Sequence, residues 1–286
     1  MRCIRDVLAQ DGSMLQHALS LTAQEARSEV QSLLQRALQV NRAYLLAHPE
    51  QVPDDAQQAR YADSLQRRLG GEPIAYILGE REFFGLNLVV TPATLIPRPE
   101  TELLVELGLA RLPPRGRMLD LGTGSGAIAV AMGQARPDAQ VVAVDASAAA
   151  LEVARLNGQR LGLKNMSFRL GDWFDALAAE RFDLIVSNPP YIAVGDAHLI
   201  QGDLRFEPRS ALASGADGLD DIRHLIAGAR THLNADGWLL LEHGYDQAAA
   251  VRTLFSSACF QDVFSAMDLA GLERVSGGNA GPVDRK

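Results

Sequence analysis

The chain has 286 residues, 47% of them hydrophobic, enough to bury a core in one large domain or two smaller ones and too many for a mainly disordered chain. With 35 acidic and 27 basic residues the formal net charge is -8, which argues against a broad cationic face for duplex nucleic acid, though a local basic patch is compatible with it. Two distant cysteines without metal-ligand spacing, no secretory apolar core in "MRCIRDVLAQDG" and no run of membrane-spanning length predict a reducing, cytoplasmic setting with no metal and no membrane.

Residues 1–75 are expected to be helical. "TAQEARSEVQSLLQRALQV" carries Ala26, Val30, Leu33, Leu34, Ala37 and Leu38 at helical spacing, and Thr22 with Glu25 makes a capping box. "DDAQQARYADSLQRRLGG" reads as a second amphipathic helix closed by Gly70-Gly71. No catalytic residues cluster here, and composition alone favours a structural cap over a docking or lid module. From Gly79 the pattern changes: "REFFGLNLVVTP" reads as a hairpin. Pro97 and Pro99 then hold an extended turn ahead of a helix with Glu100 and Glu102 in its first turn. Residues 76–98 are therefore expected to link two domains.

After Met118 strands and helices alternate: "RMLDLG", "SGAIAVAMGQAR", "QVVAVD", "SAAALEVARLNGQRLGL", "MSFRLGD", "FDLIVSN", "IRHLIAGARTHL", "GWLLLEH", "YDQAAAVRTLFSSA", "QDVFSAMDL" and "LERVSG". Such alternation predicts an α/β domain over 99–276, with a mostly parallel sheet covered on both faces. The glycine-containing tail, 277–286, is expected to be disordered.

Three strand ends carry chemistry. The first runs into Asp120-Leu121-Gly122-Thr123-Gly124-Ser125-Gly126, a turn that lets backbone approach a ligand closely, and the second ends at Asp145, placed to hydrogen-bond a ribose. Gly122, Gly124 and Ala127 also fit a dinucleotide pattern, so NAD is a rival ligand here. Asp120 just before the glycines, and Gly171-Asp172-Trp173-Phe174 at the third tip, favour S-adenosyl-L-methionine: an acid for its charged methionine end, an acceptor for its adenine amino group and an aromatic wall.

The fourth strand stops at Asn188-Pro189-Pro190-Tyr191. Prolines cannot continue a sheet ladder. Next to a methyl donor, the Asn188 side-chain oxygen and the Pro189 carbonyl would accept the two N–H bonds of a planar NH2 group. That fixes a weak nucleophile and favours its developing positive charge. The prolines would hold these oxygens rigidly, and the Tyr191 ring would pack on the flat group. Such a group could belong to a base or to an amide.

In "GEPIAYILGEREFFGLNLVV", "ATLIPRPETELLVE", "LDLGTGSGAIAVA", "VVAVDAS", "GDWF", "SNPPYI", "RFEPRSALASGADGLD" and "LLLEHGYDQ" the chain resembles the bacterial release-factor glutamine methyltransferases, the PrmC or HemK family. The resemblance runs to about Val275. It implies a Rossmann-like class I methyltransferase domain with a seven-stranded, mostly parallel sheet, joined by a hairpin to a small helical domain. The implied reaction moves a methyl group from S-adenosyl-L-methionine to the amide nitrogen (N5) of the glutamine in the Gly-Gly-Gln motif of class I peptide chain release factors, leaving S-adenosyl-L-homocysteine. Carried over, Gly122, Thr123, Gly124, Ser125, Gly126, Asp145, Asp172, Trp173 and Asn188 would contact the cofactor. Asn188, Pro189, Pro190 and Tyr191 would hold the glutamine amide and carry the catalysis. The helices of residues 1–75 would dock the release factor, a protein partner, with no direct nucleic acid, and a monomer is expected. Arg98 and Glu100 would help close the site and Phe206-Glu207-Pro208 would form part of a lid. A methyltransferase acting on a ribosomal-protein glutamine is the nearest alternative. An adenine-N6 methyltransferase would need a basic target-recognition region, and no segment after the tip supplies one. A non-catalytic binding protein on this fold should show a broken loop or tip, and both are intact.

Overall fold

A computed structural model describes residues 2–282. The chain divides into two compact units, Met1–Glu80 and Arg81–Lys286. The first holds α1 (Ile4–Leu19), α2 (Ala23–Leu38), α3 (Arg42–Ala47), α4 (Asp55–Leu69) and α5 (Ile74–Leu78). The capping box read at Thr22 starts α2: Glu25 N donates to Thr22 Oγ1 at 3.2 Å, and Thr22 N donates to the Glu25 carboxylate at 2.8 Å. Val30, Leu33, Leu34 and Ala37 face Ile4, Leu15, Tyr61 and Leu65, each large side chain contributing about 1.5–3 kcal/mol by burial. Residues 76–78, read as the start of the linker, close α5 instead. Pro73 presets its first turn, and Gly79 ends it in the left-handed region at φ 72°. Among the described residues no helix is long and apolar enough to cross a membrane.

A hairpin of β1 (Glu80–Phe83) and β2 (Leu86–Val89) follows, turning at Phe84-Gly85. A 3₁₀ turn at Pro99–Thr101 runs into α6 (Glu102–Arg111). Then come β3 (Arg117–Leu121), α7 (Ala127–Ala135), β4 (Gln140–Asp145), α8 (Ala148–Arg160), β5 (Met166–Leu170) and β6 (Phe182–Ser187). The chain ends with α9 (Asp220–His232), β7 (Leu233–Glu242), α10 (Ala248–Ser257), β8 (Gln261–Met267) and β9 (Glu273–Asn279). Seven strands form one sheet in the order β5-β4-β3-β6-β7-β9-β8. Only β9 runs against its neighbours. Both faces are covered, so the strands are apolar on both: Met118, Val141, Leu184 and Leu240 belong to one core, Leu119, Val142, Ile185 and Leu239 to the other.

From β3 the chain winds outward through β4 to β5, then returns to place β6 on the opposite side of β3. That reversal opens a crevice at the carboxyl ends of β3 and β6, the place where open parallel sheets take ligands.

The expected disordered tail is corrected in part. Gly277, Gly278 and Asn279 are paired strand residues between β7 and β8; residues 283–286 lie outside the described residues. The glycines are there for close approach. A Cβ at Gly277 would come within 2.4 Å of the Leu240 side chain, and one at Gly278 within 2.8 Å of Phe260.

Candidate active site

A cavity of about 390 Å3 opens at this crevice, and Gly122, Gly124, Asp145, Asp172, Trp173 and Asn188 are among the residues that line it. Thr123, Ser125 and Gly126 do not line it. Thr123 Oγ1 donates to Asp120 Oδ2 at 2.6 Å, the Ser125 carbonyl accepts from Asn157 Nδ2 at 2.9 Å, and Gly126 leads into α7. Gly122 sits at φ 68°, and a Cβ there would come within 3.3 Å of the Trp173 ring, so a bare backbone is needed at this wall. Trp173 itself holds a left-handed φ of 45°, local strain at the same wall.

Two carboxylates organise the cradle. Asp145 ties the loop to its own strand tip: Oδ2 accepts from Gly124 N and Oδ1 from Ser147 N, both at 2.8 Å. Burial raises its pKa, and the two backbone donors oppose that rise. Asp120 is fully buried beneath the loop. Its Oδ2 accepts from Thr123 and from Ala129 N in the first turn of α7, while Oδ1 has no partner. Burial pushes its pKa up to about 7 against those donors.

On the other side of the crevice β6 ends at the proline tip. Asn188 and Pro190 line the cavity, whereas Pro189 is buried and Tyr191 packs against the core beneath. Asn188 Nδ2 donates to Thr101 Oγ1 at 3.1 Å, which leaves the side-chain oxygen for the cavity. The Tyr191 hydroxyl donates to Glu242 Oε1 at 3.3 Å, and the Tyr191 carbonyl accepts from Gln247 Nε2 at 2.9 Å. The next residue is strapped down too: Ile192 N donates to the Leu212 carbonyl and Ser214 N to the Ile192 carbonyl, each at 2.9 Å.

The cavity is roofed by Ala93 and Leu95 from the turn before α6 and by Pro208, Ser210 and Ala211. The two segments are joined by Glu207. Its buried carboxylate accepts from Ile96 N at 3.0 Å and pairs with Arg98. The resemblance implies that Arg98 helps close the site and that Glu207 is part of a lid, and this pair is the contact between those two segments. Thr101, Glu242 and Gln247 were missed as site residues. The visible signal for Glu242 was a charged residue closing an otherwise apolar strand, "WLLLE".

Comparison with known proteins places this geometry. The model described as Methyltransferase small domain matches residues 99–217, and the one described as PrmC N-terminal domain matches residues 13–79. A release factor glutamine methyltransferase of Xylella fastidiosa is 52% identical over 254 residues, 88% of this chain and 92% of that one. The Bordetella pertussis protein of the same name is 49% identical over 281 residues, 97% of this chain and 99% of that one. A methyltransferase from Pyrococcus furiosus shares the fold at a TM-score of 0.53 and 22% identity, over 77% of this chain and 99% of its own. With a methyltransferase small domain and a PrmC N-terminal domain on one chain, matched at about half identity over nearly full length, the chain belongs to the release factor glutamine methyltransferase family.

Proposed function

We propose that the chain transfers a methyl group from S-adenosyl-L-methionine to the side-chain amide nitrogen (N5) of the glutamine in the Gly-Gly-Gln motif of class I peptide chain release factors. One observation carries the chemistry. Asn188 stands at the crevice with its amide nitrogen engaged by Thr101 and its oxygen left for the cavity. It is an acceptor for an N–H, at the strand end beside the glycine cradle.

The cradle suits a cation better than a dinucleotide. Asp120 Oδ1 is buried and unpartnered, a place for the ammonium of the methionine end, reached directly or through water. A pyrophosphate would need the N-terminus of α7, but Asp120 already accepts from Ala129 N there, and Asp145 adds a second carboxylate. Asp145 would take the ribose hydroxyls, and Asp172 and Trp173 the adenine. When bound, the cofactor supplies a methyl group on a positively charged sulfur, open to in-line displacement. Asn188 Oδ1 and the Pro189 carbonyl accept the two N–H bonds of the glutamine amide and orient its nitrogen. As the S–CH3 bond breaks and the N–CH3 bond forms, positive charge develops on that nitrogen, so both acceptors act most in the transition state. One of the two N–H protons is then lost to solvent to leave the neutral N-methyl amide. The Glu207 strap keeps the roof over the cavity and limits water. The helices of the first unit dock the release factor.

The test has two arms. S-adenosyl-L-methionine should raise the melting temperature and NADH should not; a response to NADH alone overturns the cofactor assignment. Labelled cofactor should pass its methyl group to a release factor, and not to ribosomal proteins or DNA. Label on either of those instead of the release factor overturns the substrate assignment.

A further inference from the structure

Glu242 ends β7 with 2% of its surface exposed. Its Oε2 has no hydrogen-bond partner, and no step of the methyl transfer uses it. Burial raises its pKa to about 7, opposed by the hydroxyls of Thr101 and Tyr191 and by Arg274, while Glu100 adds to the rise. Leaving a buried carboxylate oxygen unmatched is costly. The neighbours suggest what the cost is spent on.

A threonine hydroxyl has a single proton and can either give or take from an amide. The Thr101 hydroxyl is one of the two that oppose the rise at Glu242, and beside the ionised carboxylate its proton is drawn toward Glu242. Thr101 Oγ1 can then only accept from Asn188, which selects Nδ2 as the atom facing it, at the observed 3.1 Å. The opposite flip would set the Asn188 oxygen against a lone pair and turn an NH2 group, a donor, toward the substrate. Tyr191 donates to the same carboxylate, so both ends of the proline tip are referred to one buried anchor.

We propose that Glu242 is a positioning residue that fixes the flip of the Asn188 amide through the Thr101 hydroxyl, so that the tip presents an acceptor and not a donor. The kinetic part rests on the reading of the site as a glutamine methyltransferase. Glu242→Gln keeps size and burial but can offer its own NH2 to Thr101, which frees the hydroxyl to donate to Asn188. That variant should lose roughly 10–100-fold in kcat, with KM for the cofactor little changed. Its melting temperature should be equal or higher, because an unmatched buried carboxylate is gone. Thr101→Val should lose a similar factor, and the double variant should be no worse than the poorer single one. Amide NMR reads the flip without any substrate. The wild-type Asn188 NH2 signals should show a cross-peak to the Thr101 methyl group and slow exchange, and Glu242→Gln should lose both. Unchanged Asn188 signals, wild-type kcat in Glu242→Gln, or additive losses in the double variant overturn the proposal. If the wild type methylates no release factor, the functional reading falls, and the NMR comparison alone decides the positioning role.

Discussion

Buried carboxylates are treated differently in the helical unit and at two strand ends of the methyltransferase unit, where Glu207, by contrast, has both oxygens matched by Ile96 N and Arg98. In the helical unit Asp11 is fully buried with every demand met: Arg2 donates to both of its oxygens, and the Tyr61 hydroxyl donates to Oδ2 at 2.9 Å. Glu29 there takes two donors from the buried Arg68, at 2.7 and 3.1 Å. In the methyltransferase unit Asp120 and Glu242 are as deeply buried, yet each keeps one oxygen unmatched. Both sit at strand ends on the crevice, one under the glycine loop and one behind the proline tip. The paired carboxylates hold a fold together. The two with an unmatched oxygen cost stability where they stand, and the roles proposed above, a cation for Asp120 and the orientation of Asn188 for Glu242, account for that cost.

The sharpest way to break this contrast is at the tip. Asn188→Ala should cost roughly 100–1,000-fold in kcat by single-turnover kinetics, as loss of one preorganised group does, with a smaller change in cofactor affinity. Wild-type turnover would remove Asn188 from the chemistry. Next comes the helical unit. Asp11→Asn should lower unfolding free energy by about 1–3 kcal/mol in denaturant titrations, with kcat unchanged where the protein is folded. A loss of kcat without a loss of stability would erase the distinction between the units.

The cradle gives a pH signature. On the proposed reading Asp120 faces an ammonium and must be ionised to do so, and burial raises its pKa to about 7. Cofactor affinity by calorimetry should therefore fall, by up to roughly tenfold per pH unit, as pH drops below about 7, and Asp120→Asn should flatten that dependence. In the free protein the sign is opposite. Asp120 and Glu242 hold their protons more tightly when folded. Their contribution to stability is full below the usual carboxylate range and is lost as pH rises through about 7. The smallest expected effect is that of Asp145→Ala. Losing the Gly124 tether and the proposed ribose acceptor should weaken cofactor binding by about 1 kcal/mol, about fivefold in Kd. Unchanged affinity would make Asp145 a loop support only.

Much of this was readable in the sequence because it is local. The sheet follows from strands apolar on both faces, the loop from Gly122 to Gly126 follows from its spacing, and the tip announces itself by prolines where a strand should continue. What escaped is what the fold assembles from afar. Thr101 meets Asn188 across 87 positions, and Glu207 reaches Ile96 N across 111. No periodicity marks such pairs. Gly277 and Gly278 misled for another reason. Glycine signals freedom in a tail, but here it signals a backbone pressed against Leu240 and Phe260.

In the proposed reaction the acceptor tip at Asn188 holds an amide nitrogen of a release factor for methylation. Tandem mass spectrometry of a class I release factor, after incubation with cofactor and either wild-type enzyme or Asn188→Ala, tests it most directly. The predicted result is one methyl group on the side-chain nitrogen of the Gly-Gly-Gln glutamine with the wild type and almost none with the variant. A methyl group on any other residue, or equal labelling by both proteins, would contradict it.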